Sequence, residues 1–526
     1  MPFFDFHCHP GMKCRLAPKG QEPSPWQNIT VQAQVLKIIK INISPMFADA
    51  LDSQASLQQL WKGGVNLFGL VIHSIENKLA LQLLEKPIIR NGHVLQLDPQ
   101  KLERMGKGND YFSITKEELK RLTDNNLPPQ TMGLPAGTQL KFIKSMAEYD
   151  RNDLNTLHAL LILEGSQNLF NDYSAPGFKE DFIKNLDELS GNFRIFAINP
   201  CHFQQQPIGN QAFAMQFLKN TPFFPLERGI SEWGFEAIKA IYDRGIFVDT
   251  KHMGWYTRIE LYRIRQEWGI TLPLICTHAG VTGISNLERL GYFYDRPPLD
   301  EGENEQAVWR VRYLKKWGLV KDTAYNMSSL NLYDEDIEEI LLSGGMIGVS
   351  LDQRIIGFPA DEPLLYQEGI QPTDLDFISK KEANVFFGPV DPAHCPPREE
   401  NNDEVMNFDD ADSQNRGNTG DLHALYFLNQ VLHIISVAKN SKRGLKIADA
   451  VRSICIGSDL DGLVNPLDCC MDTTAYPAFK DQLLKVMSKK AFWKGTGFSF
   501  GEINIAGLLD GIFFNNAEAF LLKYYV

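Results

Sequence analysis

The sequence lacks an excess of positive charge, a long apolar run and a recognisable leader. It contains 52 basic and 65 acidic residues, a formal net charge of −13, which argues against a nucleic-acid partner. No run of about 18 uncharged apolar residues occurs, so we expect no membrane span. The first residues lack the basic and apolar regions of a signal peptide, and we therefore expect a cytoplasmic protein. Together these absences favour a small-molecule or short-peptide substrate.

The sequence also lacks closely spaced cysteine pairs. None of the eight cysteines forms a CxxC motif, and the adjacent Cys469 and Cys470 cannot easily bond to each other. Cys8, Cys276 and Cys455 lie inside apolar runs. We therefore predict that these three are reduced thiols in the core rather than halves of disulfides.

Short apolar runs alternate with amphipathic stretches, the pattern of a parallel sheet with crossover helices. The predicted strands are Phe3–His9, Val65–His73, Leu157–Glu164, Phe193–Asn199, Gly245–His252, Leu272–His278, Met346–Leu351 and Ser453–Asp459. Helical patterns between them include Gly234–Arg244, Asp334–Ser343 and Leu422–Ala438, and glycines at 245 and 344–345 mark helix ends. We predict a single α/β domain over residues 1–526, a (β/α)8 TIM-type barrel.

Two segments do not fit the repeat of strands and helices. Residues from about 90 to 151 and from about 354 to 420 contain proline, glycine and charge, including the acidic run Glu399 to Asp412. Both follow predicted strand ends. We therefore expect two long insertions that form loops over the active-site face, with the acidic run as a solvated loop.

The strongest chemical signal is the run Phe4–Asp5–Phe6–His7–Cys8–His9. Because side chains alternate across a strand, we expect Asp5, His7 and His9 to share one face and the aromatic face to pack on the helices. A neutral imidazole is the commonest metal ligand in proteins. His7 and His9 are therefore a candidate metal-binding pair.

Four other predicted strands end in a potential ligand, namely Glu164, His252, His278 and Asp459. Each residue alone has an ordinary reading, since Glu164 could form a salt bridge, the histidines could be hydrogen-bonded in the core, and Asp459 could cap a helix. In a barrel, however, the carboxyl ends of the strands build one active site. Their common position therefore predicts a shared metal centre.

Six ligand candidates exceed the three that one catalytic zinc ion needs. They suit two divalent ions, most simply zinc, bridged by Glu164, the strand-end carboxylate between the paired and the single histidines. Two such ions would acidify a shared water to a metal-bound hydroxide and polarise a scissile amide carbonyl. Asp459 would take the proton from that water and pass it to the leaving group.

These motifs resemble those of the membrane (renal) dipeptidase family, peptidase family M19 of the amidohydrolase superfamily. The similar segments are Gly229–Gly234 followed by Val248–His252, Pro273–His278, Glu164–Gly165, the motif Gly457–Ser–Asp–Leu–Asp–Gly462, and Phe498–Phe520 around Asn516. The resemblance covers most of the chain in order and leaves both insertions unmatched. It implies a (β/α)8 barrel, two zinc ions and hydrolysis of short peptides, often dipeptides.

The resemblance also implies a substrate-facing histidine after the fourth strand, and His202 is the candidate to stabilise the oxyanion. Two departures from the family pattern bear on this site. The usual His-x-Asp motif is replaced by His7–Cys–His9, and the stretch Ser329–Asp334 has no arginine for a substrate carboxylate. Arg354 is the candidate substitute, because a carboxylate is best bound by a guanidinium.

The sequence leaves other functions open. A non-peptide C–N bond or a lactone could be the substrate, and a catalytically silent barrel could serve as a binding module. A homodimer is likewise left open.

Overall fold

The computed structural model describes residues 2–18, 20, 22–30, 52–85, 98–213, 223–286, 288, 293–296, 308–313, 316–357, 376–387 and 419–526. The strands are β1 (Phe3–Cys8), β2 (Val65–Ile72), β3 (Gln139–Phe142), β4 (Thr156–Glu164), β5 (Ile195–Asn199), β6 (Phe247–Val248), β7 (Ile275–Ala279), β8 (Phe293–Arg296), β9 (Val308–Tyr313), β10 (Met346–Val349), β11 (Asp376–Ser379) and β12 (Ile454–Ile456). The eight predicted strands correspond to β1, β2, β4, β5, β6, β7, β10 and β12.

Helices alternate with these strands. They are α1 (Met12–Leu16), α2 (Leu57–Lys62), α3 (Asn77–Glu85), α4 (Pro99–Lys107), α5 (Tyr111–Asp124), α6 (Phe178–Asn192), α7 (Glu232–Asp243), α8 (Trp255–Glu267), α9 (Asp334–Leu342), α10 (Lys380–Phe387), α11 (Thr419–Asn440), α12 (Ile447–Val451), α13 (Tyr476–Met487), α14 (Ile505–Asp510) and α15 (Asn516–Tyr524). Left-handed Gly245 and Gly344 follow the ends of α7 and α9, with φ of 68° and 72°. This confirms the predicted helix ends.

The strands form a mixed α/β fold with a curled parallel sheet. One parallel sheet runs β1-β2-β4-β5-β6, with β3 beside β4, and a second runs β12-β10-β7. Single parallel bridges, Asp249 with Ile275 and Cys8 with Leu460, link the ends of the two sheets. The curl brings the rings of Phe6 and Phe196 within 5.9 Å of each other, although β2 and β4 separate their strands.

β1 changes face at a bulge. Asp5 pairs with Phe68 and Cys8 with Leu70. Three residues along β1 therefore span the same length as two residues along β2. An extra residue of this kind reverses the alternation of side chains. Phe4 and Phe6 therefore point into the curl before the bulge, and His7 and His9 point there after it.

This bulge corrects the predicted faces of β1. The prediction placed Asp5 with His7 and His9, and the aromatic rings against the helices. Instead, the two rings join an interior cluster with Leu67, Val71, Leu160, Ile162, Phe196, Phe247, Ile275, Met346 and Cys455. Asp5 points outward and accepts hydrogen bonds from the Tyr476 hydroxyl of α13 at 2.7 Å and the Ser458 backbone at 3.0 Å.

The first insertion contains the helices α4 and α5 and the short strand β3, so the prediction of a loop was wrong for these segments. Asp98 caps α4 by accepting from the backbone N–H of Gln100, and Pro99 occupies its first turn. Both features favour a helix start. α5 then reaches the ends of the strands, because Glu118 forms a buried ion pair with Arg15, whose guanidinium donates to the carbonyl of His73.

The second insertion contributes one strand, β11, to an antiparallel sheet whose other strands, β8 and β9, lie earlier in the chain. β9 pairs with both β8 and β11, and β11 is followed by α10. Residues 358–375 and 388–418 lie outside the described part of the chain, and so does the predicted acidic loop Glu399 to Asp412.

One helical stretch among the described residues, Ile505–Tyr524, is long and apolar enough to cross a bilayer. Just over half of its most apolar 18 residues, 56%, are buried within the molecule. Ile512, Phe513 and Phe514 are fully buried in the core. The stretch therefore has the burial of a core helix.

Cys8, Cys276 and Cys455 are buried and free, which confirms the prediction of reduced core thiols.

Candidate metal centre

The carboxylate of Glu164, at the end of β4, lies at the centre of a group of histidines. Its Oε1 lies 3.3 Å from His7 Nε2 and 3.3 Å from His252 Nε2, and 3.6 Å from His278 Nε2. Its Oε2 lies 3.5 Å from His9 Nε2. All of these side chains are buried. The two oxygens thus face different imidazoles.

Asp459 completes the predicted set. Its Oδ1 lies 3.2 Å from His9 Nε2 and 3.9 Å from His7 Nε2. The structure therefore brings together His7, His9, Glu164, His252, His278 and Asp459. It does so at one edge of the sheet, because each residue lies at or just beyond the carboxyl end of a parallel strand.

A buried chain of hydrogen bonds fixes the tautomer of His7. The single hydroxyl proton of Thr277 is donated to the Asp249 carboxylate. Thr277 Oγ1 must then accept from His7 Nδ1, which lies 2.8 Å away. This leaves the lone pair on His7 Nε2, which has no hydrogen-bond partner among the described residues. A ring held in this way is the usual state of a metal-binding histidine.

The charges in the cluster are arranged for a cation. Burial alone would raise the pKa of Glu164, but His202 and His7 hold that pKa well below its ordinary value. Burial lowers the pKa of His252 and of His278, helped by the neighbouring His202 and His7 respectively. An ionised carboxylate beside neutral His252 and His278 is the protonation state that binds a metal.

Asp459 occupies a strained and electrostatically perturbed position. Its φ of 62° lies in the left-handed region, as does that of His252 at 66°, a conformation that non-glycine residues adopt at a cost. Burial and the negative charge of Glu164 raise the pKa of Asp459 to about 8. No helix follows it directly, so the alternative reading as a helix cap does not apply.

His202 lies beside the cluster as well. Its side chain is buried, with Nε2 3.7 Å from Glu164 Oε2 and Nδ1 2.6 Å from Glu76 Oε1. Burial alone would lower the pKa of His202, but Glu76 and Glu164 raise it above the ordinary value. The structure thus places His202 where a group bound at the cluster would meet it, and its catalytic role stays a prediction.

Two buried residues of this region were missed by the sequence analysis. His73 directly follows β2, and Glu76 lies three residues further on; both are almost fully buried. The signal was present, because His73 ends an apolar strand in the same way as His252 and His278 do. It was read only as part of that strand.

Arg354 is committed to a neighbouring carboxylate. Its Nε lies 3.0 Å from Asp352 Oδ1 and its Nη2 lies 2.5 Å from Asp352 Oδ2, and it also donates to the carbonyl of Leu463 at 3.2 Å. Binding of a substrate carboxylate would have to compete with this ion pair. Its substrate-binding role stays a prediction.

The donors fit divalent metal ions. His7 Nε2, which faces Glu164, is buried without a hydrogen-bond partner in the described part of the chain. One ligand atom each from His7, Glu164 and His278 lies within 4.8 Å of the others, and the same holds for His7, His9 and Asp459. Imidazole and carboxylate donors at this density suit zinc and related ions.

Replacing Gly457 with Ala should damage the centre through Thr277. A Cβ at position 457 would lie 1.8 Å from the Thr277 carbonyl oxygen, and this contact can be relieved only by moving the strand that supports His7 and His278. We expect a loss of about 1–3 kcal/mol in the free energy of unfolding and a lower zinc content, measured by thermal denaturation and metal analysis. Gly191→Ala is the matched control, because nothing lies within 4 Å of its added Cβ. Equal behaviour of the two variants would contradict the prediction.

Comparison with known proteins gives only distant similarity. No family model and no curated protein matches the chain. Solved structures do. A metallopeptidase from Rhodobacter sphaeroides, bound to a phosphinate mimic of L-Ala-D-Ala, has 12% identity and a TM-score of 0.47, covering 99% of this chain and 98% of its own.

Two further structures are similar over nearly their whole length. A dipeptidase of family M19 has 12% identity and a TM-score of 0.46, covering 100% of this chain and 99% of its own. A probable dipeptidase, PvdM, from Pseudomonas aeruginosa has 12% identity and a TM-score of 0.49, covering 100% and 96%.

Proposed function

We propose that this protein is a dinuclear metal-dependent hydrolase that cleaves an amide bond, with short peptides as its substrates. The observation that supports it most is the environment of Glu164. One carboxylate oxygen faces His7, His252 and His278, and the other faces His9. A carboxylate with separate imidazoles on each oxygen is arranged to bridge two cations.

We also infer that the two parallel sheets close into one (β/α)8 barrel. The two bridges between the sheets support this, and so does the interior cluster, which takes at least one side chain from each of the eight parallel strands. In a closed barrel the active site lies at the carboxyl ends of the strands, where the candidate ligands are. The bulge in β1 turns His7 and His9 toward the same place.

The residues divide into two ligand sets that share Glu164. One set is His7 and His9 with Asp459, and the other is His252 with His278. Two divalent ions, most simply zinc, would when bound supply Lewis acidity for the carbonyl and an acidified water as nucleophile. The hydrogen-bonded chain from Asp249 through Thr277 holds His7 in the tautomer that this requires.

Asp459 is placed to move the proton. It lies at the edge of the cluster with its side chain 17% exposed, so that it can reach both a nucleophilic water and a departing amine. Carboxylates whose pKa is raised toward neutrality are suited to general acid–base catalysis. His202, oriented by Glu76, would donate a hydrogen bond to the carbonyl oxygen as it gains negative charge.

The substrate test should vary the carboxyl end of the peptide. Zinc-reconstituted protein should hydrolyse dipeptides, and a chelator should remove at least nine-tenths of the activity. Because Arg354 is paired with Asp352, we expect C-terminally amidated dipeptides to be cleaved within about tenfold of the free acids, since the lost ion pair would be weak. Release of the free amino group is the measurement.

The panel should also contain an N-acyl amino acid and a lactone. Turnover of these alone would replace the peptidase proposal by the non-peptide alternative. Protein that retains two ions per chain and turns over none of the substrates would contradict the proposal of an active hydrolase.

A further inference from the structure

A second group of ligand side chains lies next to the cluster around Glu164. His73 follows β2, Glu76 lies three residues beyond it, and His202 follows β5. All three are buried, with 4%, 1% and 4% of their surface exposed. One ligand atom from each lies within 4.8 Å of the other two.

The backbone fixes the proton on His73. Its Nδ1 lies 3.0 Å from the carbonyl oxygen of Glu164, and a carbonyl can only accept a hydrogen bond. Nδ1 therefore carries the proton of the neutral ring, and the lone pair is on Nε2. That lone pair faces Glu76 Oε2 at 3.6 Å, which is too long for a hydrogen bond.

Only one of the two carboxylate oxygens of Glu76 has hydrogen-bond partners among the described residues. Its Oε1 accepts from the backbone N–H of Phe203 at 3.0 Å and contacts His202 Nδ1 at 2.6 Å. Its Oε2 is buried and has no hydrogen-bond partner among the described residues. A buried carboxylate oxygen without a partner is costly. Here Glu76 Oε2 faces the lone pair of His73 Nε2, which is a second acceptor without a donor.

We propose that His73, Glu76 and His202 bind a third divalent transition-metal ion. An ion about 2.1 Å from both His73 Nε2 and Glu76 Oε2, which are 3.6 Å apart, subtends an angle of about 118°, close to tetrahedral. His202 completes the set when Nδ1, now 2.6 Å from Glu76 Oε1, loses its proton to solvent and turns its lone pair from that oxygen to the ion. One imidazole–carboxylate–imidazole set suits zinc better than calcium or magnesium.

This site adds to the two-ion centre and does not depend on it. It adjoins that centre through two contacts, the hydrogen bond from His73 to the Glu164 carbonyl and the 3.7 Å approach of His202 Nε2 to Glu164 Oε2. A third ion here would hold His202 rigidly beside the centre. It would also place a positive charge next to the bound substrate.

Anomalous diffraction at the zinc edge from crystals equilibrated with Zn²⁺ tests the site in the unaltered protein. We expect a peak within about 2.5 Å of His73 Nε2 and Glu76 Oε2. Metal analysis of the wild type should give three zinc ions per chain, and of Glu76→Gln two. Glu335→Gln is the control, a partly buried carboxylate that accepts from the Asn286 backbone, and it should keep three.

A map without a peak between His73 and Glu76 overturns the proposal, even if Glu76→Gln fails to fold. Zinc contents that are equal in the wild type and in folded Glu76→Gln overturn it as well. If the wild type shows the two peaks at Glu164 but none at Glu76, only the third site fails. Absence of the peaks at Glu164 would instead overturn the proposed function.

Discussion

Asp459→Asn is expected to keep both ions at Glu164 while kcat falls by about a hundredfold or more, the range of a positioned acid–base group. The amide has nearly the same shape and keeps an oxygen toward His9, but it cannot take up a proton. Steady-state kinetics with a dipeptide and metal analysis of the same sample are the measurements. An unchanged kcat would remove Asp459 from the mechanism.

Asp461→Asn separates this effect from damage to the loop. Asp461 lies two residues further on and accepts hydrogen bonds from the backbone N–H groups of Gln54 and Ala55 at 2.8 and 3.0 Å, and it is paired with Lys13 at 2.7 Å. These contacts hold the loop after β12 against residues 54–55 and against Lys13 of α1. We therefore expect a lower melting temperature and a nearly normal kcat in the folded fraction, the reverse of the result for Asp459→Asn.

Glu164→Gln should have the larger effect on metal content. The substitution removes the one charge that faces His7, His252, His278 and His9 together, and a neutral amide is a poor bridge between two cations. We expect both ions at this position to be lost under dialysis, leaving fewer than one there per chain, with turnover lost in parallel. Metal analysis and a thermal denaturation curve check this result.

Glu118→Gln is the matched control for this variant. Glu118 is a buried carboxylate near the same strand ends, but its ion pair is with Arg15 rather than with a histidine of the cluster. We expect it to lose stability and to retain both ions. If Glu164→Gln also retained both ions, the bridging assignment would be wrong.

The position of the site could be predicted from the sequence because parallel strands end at the same edge. Glu164, His252 and His278 each end an apolar run, and this is sufficient to predict that they meet. The same rule applied to His73 would have added it to the set. Glu76 is harder to predict, since it lies beyond the strand in a segment with no regular pattern.

Local pairing geometry could not be predicted. The face of β1 depends on its register against β2, which is more than sixty residues away in sequence, and alternation alone gives the wrong side for Phe4, Phe6 and Asp5. The helices α4 and α5 were missed for a different reason. Proline, glycine and charge in their segment favour a loop, although Asp98 and Pro99 are helix-start signals and apolar residues such as Leu102 and Met105 recur at helical spacing.

The bulge in β1 makes the pairing of this short segment as important as its chemistry. A regular pleat continued from Phe4 and Phe6 would place Cys8 inside the curl and turn His7 and His9 toward the surrounding helices, with every ligand still present in the chain. Two sequences that share this run of residues can therefore differ in whether they hold metal, according to whether the strand keeps its bulge.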